Sequence, residues 1–295
     1  MTVTVRSMDK RYGLVLEGGG FRGSYTCGAL KWLNDHNIHF DYAVTISAAA
    51  PYGFDYMAQL DDVNKRLSID GVTDKGVFGL KALLREGSIV SFSYLIKHYF
   101  SATYKKALEE LRQRDCRIEV GVFNMTRQQL EYYDQHQLDD GMQIIQAACS
   151  LPIVSKMIDV NGQKFLDGGI RHMVSIDRSK ETGHTRHLVI VTKDKNYVRK
   201  PNGAATNLLL RTLYHNYPKM LEILDHRVET YYQEMNDVYE LEKNGDAILI
   251  RPSRDTGVGR FSGTREQIEE MYYLGYQDME DRKEDLLRFL EVEGK

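Results

Sequence analysis

Residues 12–33 read YGLVLEGGGFRGSYTCGALKWL, and the fold is decided there. Residues 12–17 form a short apolar run that reads as a buried strand. A glycine-rich turn follows, and apolar residues then recur at helical spacing through residues 24–37. The pattern repeats at once. Residues 42–46 (YAVTI) read as a second buried strand, and residues 48–60 continue as a helix. Strand–turn–helix alternation of this kind predicts parallel strands joined by right-handed crossovers, an α/β fold.

Working outward, residues 104–114 read as a helix and residues 118–123 (IEVGVF) as a strand, with residues 131–133 as a short hairpin partner. Residues 141–149 read as a helix stopped before Pro152. Residues 157–160 and 164–166 flank Asn161-Gly162, a dipeptide that accepts the positive φ angles of a two-residue hairpin turn. Residues 187–192 (HLVIVT) and 247–251 (AILIR) are two further apolar strands, and residues 205–214, 219–243 and 264–290 read as helices. Residues 196–204 form the best candidate loop. Without repeats or a linker, the chain is expected to be one domain over residues 1–295. Its chemistry-bearing motifs fall within residues 12–192, and its helical part, residues 205–295, is expected to pack on the same domain.

The composition, 42% hydrophobic and 27% charged over 295 residues, is that of a globular protein able to bury a large core. A formal charge of -3 gives no electrostatic footprint for nucleic acid. The three cysteines, Cys27, Cys116 and Cys149, are scattered without metal-ligand spacing and predict reduced thiols in a cytoplasmic protein. The amino-terminal stretch has no apolar leader core, and no run approaches the roughly 18 apolar residues of a membrane span. Any contact with a membrane is therefore expected from the water side, as peripheral association. Residues 91–100 (SFSYLIKHYF) read either as core or as a lid or substrate wall.

The loop from Gly18 to Gly23, GGGFRG, is a literal G-x-G-x-x-G between a strand and a helix, the setting of a dinucleotide site. That site needs a carboxylate at the end of the second strand, where this chain has Thr45-Ile46-Ser47-Ala48. Asp41 lies at the wrong end of the strand, and Glu17 would repel a pyrophosphate. The loop suits another anion. Converging N–H groups of Gly18, Gly19 and Gly20 and the following helix N-terminus match the needs of an oxyanion hole, with Arg22 adding charge or bracing the loop. A tight turn is the plain alternative. Ser47 lies where an apolar strand meets a small-residue helix start, as a nucleophile elbow requires, although a serine there can equally cap the helix. Asp167, before Gly168 and Gly169, is either a turn residue or a general base.

Three motifs in this order, EGGGFRG at residues 17–23, TISAA at 45–49 and DGG at 167–169, resemble the patatin-like phospholipases. The similarity runs through the whole chain, including ACSLPIVS ahead of the aspartate, and the long-helical final third is similar to a bacterial cytoplasmic branch. The resemblance implies a three-layer α/β fold with a mainly parallel central sheet, a Ser–Asp dyad without histidine, and hydrolysis of acyl esters of lipids or small molecules. Ser47 matches the nucleophile, Asp167 the base, and Gly18, Gly19 and Gly20 the oxyanion loop, with no metal or cofactor required. Arg22, Gly23, Thr45, Ala49, Gly168 and Gly169 support the motifs, and His172, His184 and His187 are expected to be surface or structural residues. An unperturbed Asp, near roughly pKa 3.9, is a poor base, so Asp167 must be partly desolvated.

The chain departs from the family at several positions. Thr45 and Ala49 occupy the glycine places of Gly-x-Ser-x-Gly, and Thr45 would be strained if its position needs positive φ. Pro51 falls in the first turn of the following helix, and His172 and Ser175 replace an aspartate and a proline. These changes leave open a weakly active or inactive lipid-binding member of the same fold.

Overall fold

The computed structural model describes residues 3–4, 11–100 and 104–291. Most of the amino-terminal stretch read for a leader lies outside them. Among the described residues the strands are β1 (Val3–Thr4), β2 (Tyr12–Leu16), β3 (Ile38–His39), β4 (Tyr42–Ile46), β5 (Arg117–Asn124), β6 (Gln129–Asp134), β7 (Ile158–Val160), β8 (Gln163–Asp167), β9 (Arg186–Ile190) and β10 (Ala247–Ile250). The main sheet runs β10-β9-β2-β4-β5-β8-β7, with β6 also on β5, and β1 pairs separately with β3. From β10 to β5 every pairing is parallel, while β6, β8 and β7 join antiparallel. Asn161 and Gly162 take φ 52° and 78° between β7 and β8, as the hairpin dipeptide predicts.

The parallel strands are buried on both faces, which is why they read as continuous apolar runs rather than alternating ones. Leu14, Leu16, Ala43 and Ile190 face one helical layer containing α1 (Gly23–Asp35) and α2 (Ala49–Met57). Val15, Val44, Val189 and Leu249 face the other, with Ile176, Tyr231, Met235 and Val238. Each fully buried Leu or Val contributes about 1.5–3 kcal/mol of apolar transfer, so this alternation fixes register and layering together. The result is the expected three-layer α/β arrangement.

Two long helical readings are corrected. Residues 219–243 form two helices, Pro218–Asp225 and Arg227–Lys243, broken at His226 with φ -94° and ψ 11°. Residues 264–290 form Arg265–Asp281 and Lys283–Leu290, broken at Arg282. Thr264 opens the first of these with a reciprocal capping box to Gln267. Among the described residues no helix is long and apolar enough to cross a membrane.

The pairing around β5 positions the site. β6 occupies one edge of β5 from Glu119 to Asn124, so β4 and β8 must share the other. β4 ends with Ile46 opposite Gly121, and β8 arrives from the opposite direction to end with Asp167 opposite Val122. Two strand ends thus meet head to head on one edge, and residues 47 and 167 become neighbours across 120 positions of sequence.

Candidate active site

Ser47 Oγ donates a hydrogen bond of 2.6 Å to Asp167 Oδ2 at this junction. Ser47 takes φ 57°, the left-handed conformation, between β4 and α2. That conformation costs a non-glycine residue about 1–2 kcal/mol, and it turns the hydroxyl out of the strand direction. The turn is closed by Ala50 N–H donating to the Ser47 carbonyl at 2.9 Å. The helix-cap position of α2 falls on Ala48, with no side-chain cap bond, so the Ser47 hydroxyl is not spent on capping. The positive end of α2 lies beside it.

The strain expected at Thr45 falls on Ser47 instead. Thr45 lies inside β4, where a β-branched side chain is favoured, and its Oγ1 donates to the Glu119 carbonyl at 3.1 Å. Its Cγ2 occupies space above α2, where a Cβ on Gly53 would come within 2.5 Å. The space the elbow needs near Thr45 is thus supplied by Gly53. Ala49 is the buried first residue of α2, and Pro51 sits in its first turn, where a missing N–H costs no intrahelical bond.

Asp167 is wholly buried. Its Oδ1 accepts the Gly169 N–H at 2.7 Å and caps the short turn Gly168–Ile170. Burial pushes its carboxyl above the usual carboxylate range, although the bonds from Ser47 and Gly169 and the charges of Arg227 and Arg260 pull the other way. Desolvation wins, which is the direction a base working near neutral pH requires.

The glycine loop passes directly over the serine. A Cβ on Gly18 would stand 2.5 Å from Ser47 Cβ and 2.8 Å from the Ile46 carbonyl oxygen, so the backbone can approach this closely only without a side chain. The N–H groups of Gly18, Gly19 and Gly20 donate to no acceptor among the described residues. They remain free to donate.

The loop is held from outside. Lys193 Nζ donates to Glu17 Oε1 at 2.6 Å and to the Gly18 carbonyl at 2.9 Å, and Thr192 N–H donates to Glu17 Oε2 at 2.7 Å. Glu17, read from sequence as a feature hostile to pyrophosphate, is the buried anchor of this clamp. Burial lowers Lys193 to about 8 against the attraction of Glu17. Phe21 N–H donates to the Arg260 carbonyl at 3.0 Å, tying the loop to the last third of the chain. Arg22 lies over the Tyr197 ring at 5.8 Å, and Gly23 starts α1.

Ser47 stands between two cavities. One, of about 90 Å³, is walled by apolar side chains including Phe21, Phe78, Phe92, Leu95, Leu151 and Phe261. Residues 91–100 are both things the sequence allowed: Phe92 and Leu95 belong to the core and also form the wall. The other cavity is lined by Arg22, Lys193, Arg199, Arg227 and Arg260 around Asp167. Arg227 Nε donates to the Gly169 carbonyl at 2.6 Å, an approach made possible by the helix break at His226.

Sequence reasoning missed Lys193, Arg199, Arg227 and Arg260. Lys193 carried one usable signal, since it directly follows the apolar strand read at residues 187–192 and so emerges at the carboxyl edge of the sheet. The histidines lie elsewhere. His172 Nδ1 meets Glu234 Oε1 at 2.6 Å, His184 stacks on Tyr42 at 4.1 Å, and His187 Nδ1 meets Ser179 Oγ at 3.0 Å. Burial holds His184 and His187 down at about 4, as neutral structural groups rather than surface ones.

A family model described as patatin-like phospholipase matches residues 14–178, and one described as a domain of unknown function, DUF6363, matches residues 217–291. No curated protein matches the chain. Among solved structures, that of VipD from Legionella pneumophila is similar with 14% identity, over 96% of this chain and 67% of that one, at a TM-score of 0.47.

Proposed function

The chain belongs to the patatin-like phospholipase family, and from that premise we propose that it is a serine acyl hydrolase acting on carboxylic esters of lipids through Ser47 and Asp167. The observation that carries the reading is the 2.6 Å bond from a left-handed serine to a desolvated aspartate beneath three unengaged glycine N–H groups. Ser47 Oγ attacks the ester carbonyl as Asp167 takes its proton. Gly18, Gly19 and Gly20 receive the oxyanion. Collapse releases the alcohol with the proton from Asp167 and leaves an acyl-Ser47, which water, deprotonated by Asp167, then cleaves. The acyl chain occupies the apolar cavity that opens on Ser47.

Thr45 within β4 and Ala49 within α2 support an active rather than merely lipid-binding member. The free thiols of Cys27, Cys116 and Cys149 support a reducing compartment. We also take the regions at 14–178 and 217–291 as one unit, because β10 extends the central sheet beside β9 and Arg260 holds the glycine loop.

The test is hydrolysis of p-nitrophenyl butyrate and palmitate by the protein and by its Ser47→Ala and Asp167→Asn variants. Each substitution is expected to cost at least ~10²-fold in turnover with the fold intact. The 90 Å³ cavity predicts that the butyrate is the better substrate. Native activity no greater than that of the variants on either ester would remove the reading.

A further inference from the structure

The cationic cavity beside Ser47 is not accounted for by ester hydrolysis. Its lining holds five cationic side chains and one carboxylate, Asp167. Lys193 is committed to Glu17 at 2.6 Å, which leaves four guanidinium groups. Arg22, Arg199, Arg227 and Arg260 form no ion pair with a carboxylate among the described residues. Arg199 is 7% exposed, its Nε has no hydrogen-bond partner among the described residues, and its guanidinium lies over the Tyr231 ring at 4.3 Å. Arg22, Arg227 and Arg260 are half-buried. Crowding like charges at a partly desolvated site without an anion is costly, and guanidinium groups are well suited to binding phosphate there. Burial and mutual repulsion pull Arg227 down to about 10 and lower Arg260.

The arrangement around the serine gives the anion its place. Arg260 turns into the cationic cavity while its neighbour Phe261 turns into the apolar one, and both cavities open on Ser47. The free space among the arginines is about 30 Å³, room for a small polar group and not for an acyl chain. Among the described residues no carboxylate besides Asp167 lines it, so none there would pair with a choline or ethanolamine ammonium.

We propose that Arg22, Arg199, Arg227 and Arg260 form a phosphate subsite that holds the head of the acyl-ester substrate, and that the preferred head is a phosphate without a compensating cation. The proposal rests on the hydrolase reading for its substrate but not for its binding. Arg199, Arg227 and Arg260 all lie beyond residue 178, so the final third of the chain supplies the head-group selectivity of the site built by residues 14–178.

The test is calorimetric binding to the Ser47→Ala protein of dihexanoyl phosphatidate and dihexanoyl phosphatidylcholine. Both are kept dissolved as monomers so that no lipid surface charge contributes. Phosphatidate is expected to bind at least tenfold more tightly. That preference should fall to near unity when Arg199→Gln or Arg260→Gln is added, and Arg199→Lys should restore part of it. Inorganic phosphate, at constant ionic strength, is expected to compete with phosphatidate. Equal affinities for the two lipids would overturn the proposal, and phosphate binding alongside equal lipid affinities would reassign the cavity to free phosphate. Butyrate ester turnover by the native protein is read separately, so that failure of the hydrolase reading and failure of the subsite are distinguishable.

Discussion

At the scale of single residues, the proposed chemistry turns on a carboxylate kept in the protein interior. Its folded pKa is raised above the unfolded value, mainly by burial, so protonation is favoured by folding. The associated stability is fully present below the unfolded pKa near roughly 3.9 and is lost as pH rises through the folded value. At pH 7 the ionised Asp167 is therefore a cost to the fold. Asp167→Asn should leave the melting temperature at pH 7 equal or higher while removing turnover, and thermal melts should show the gap between variant and native closing at pH 4. The acid limb of kcat/KM should lie above the range of a free aspartate. A limb at the ordinary value, or a destabilised variant at pH 7, would contradict the assignment of desolvation. Ser47, Asp167 and the glycines are legible in the sequence as candidates because each sits in a short local motif. Arg199, Arg227 and Arg260 were not, because they reach the site from distant segments with no local pattern. The strain was placed two residues early, at Thr45, because sequence cannot tell which residue of an elbow leaves the strand.

At the scale of elements, the glycine loop depends on the helix it starts. α1 crosses Arg265–Asp281 so closely that a Cβ on Gly275 would lie 2.0 Å from the Tyr25 carbonyl oxygen, and one on Gly28 1.8 Å from that of Tyr272. The contact is backbone against backbone, so neither side can yield by changing a rotamer. Gly275→Ala should destabilise by about 3 kcal/mol and lower the melting temperature by roughly 5 °C or more. Ester turnover should fall with it, since α1 begins at Gly23, at the end of the loop. A melt unchanged within about 1 °C would show that the two helices separate freely. The parallel strands were readable because burial on both faces leaves continuous apolar runs. The breaks at His226 and Arg282 were not, because neither a glycine nor a proline marks them and the helical period continues across both.

At the scale of the whole molecule, the site exists because β4 and β8 end head to head on one edge of β5, while the last third of the chain closes over the loop through Arg260. The alternation of strands and helices announces the sheet, but only the three-dimensional pairing reveals that Ile46 and Asp167 occupy consecutive rungs of β5, opposite Gly121 and Val122, which brings residue 47 beside residue 167. The central claim is that Ser47 is a nucleophile activated by Asp167. Its most direct test is reaction with an alkyl fluorophosphonate followed by intact-mass measurement and peptide mapping. The account predicts one organophosphoryl adduct on Ser47, none in Ser47→Ala, and labelling at least ~10²-fold slower in Asp167→Asn. No adduct on the folded native protein, or an adduct on a different residue, would contradict it.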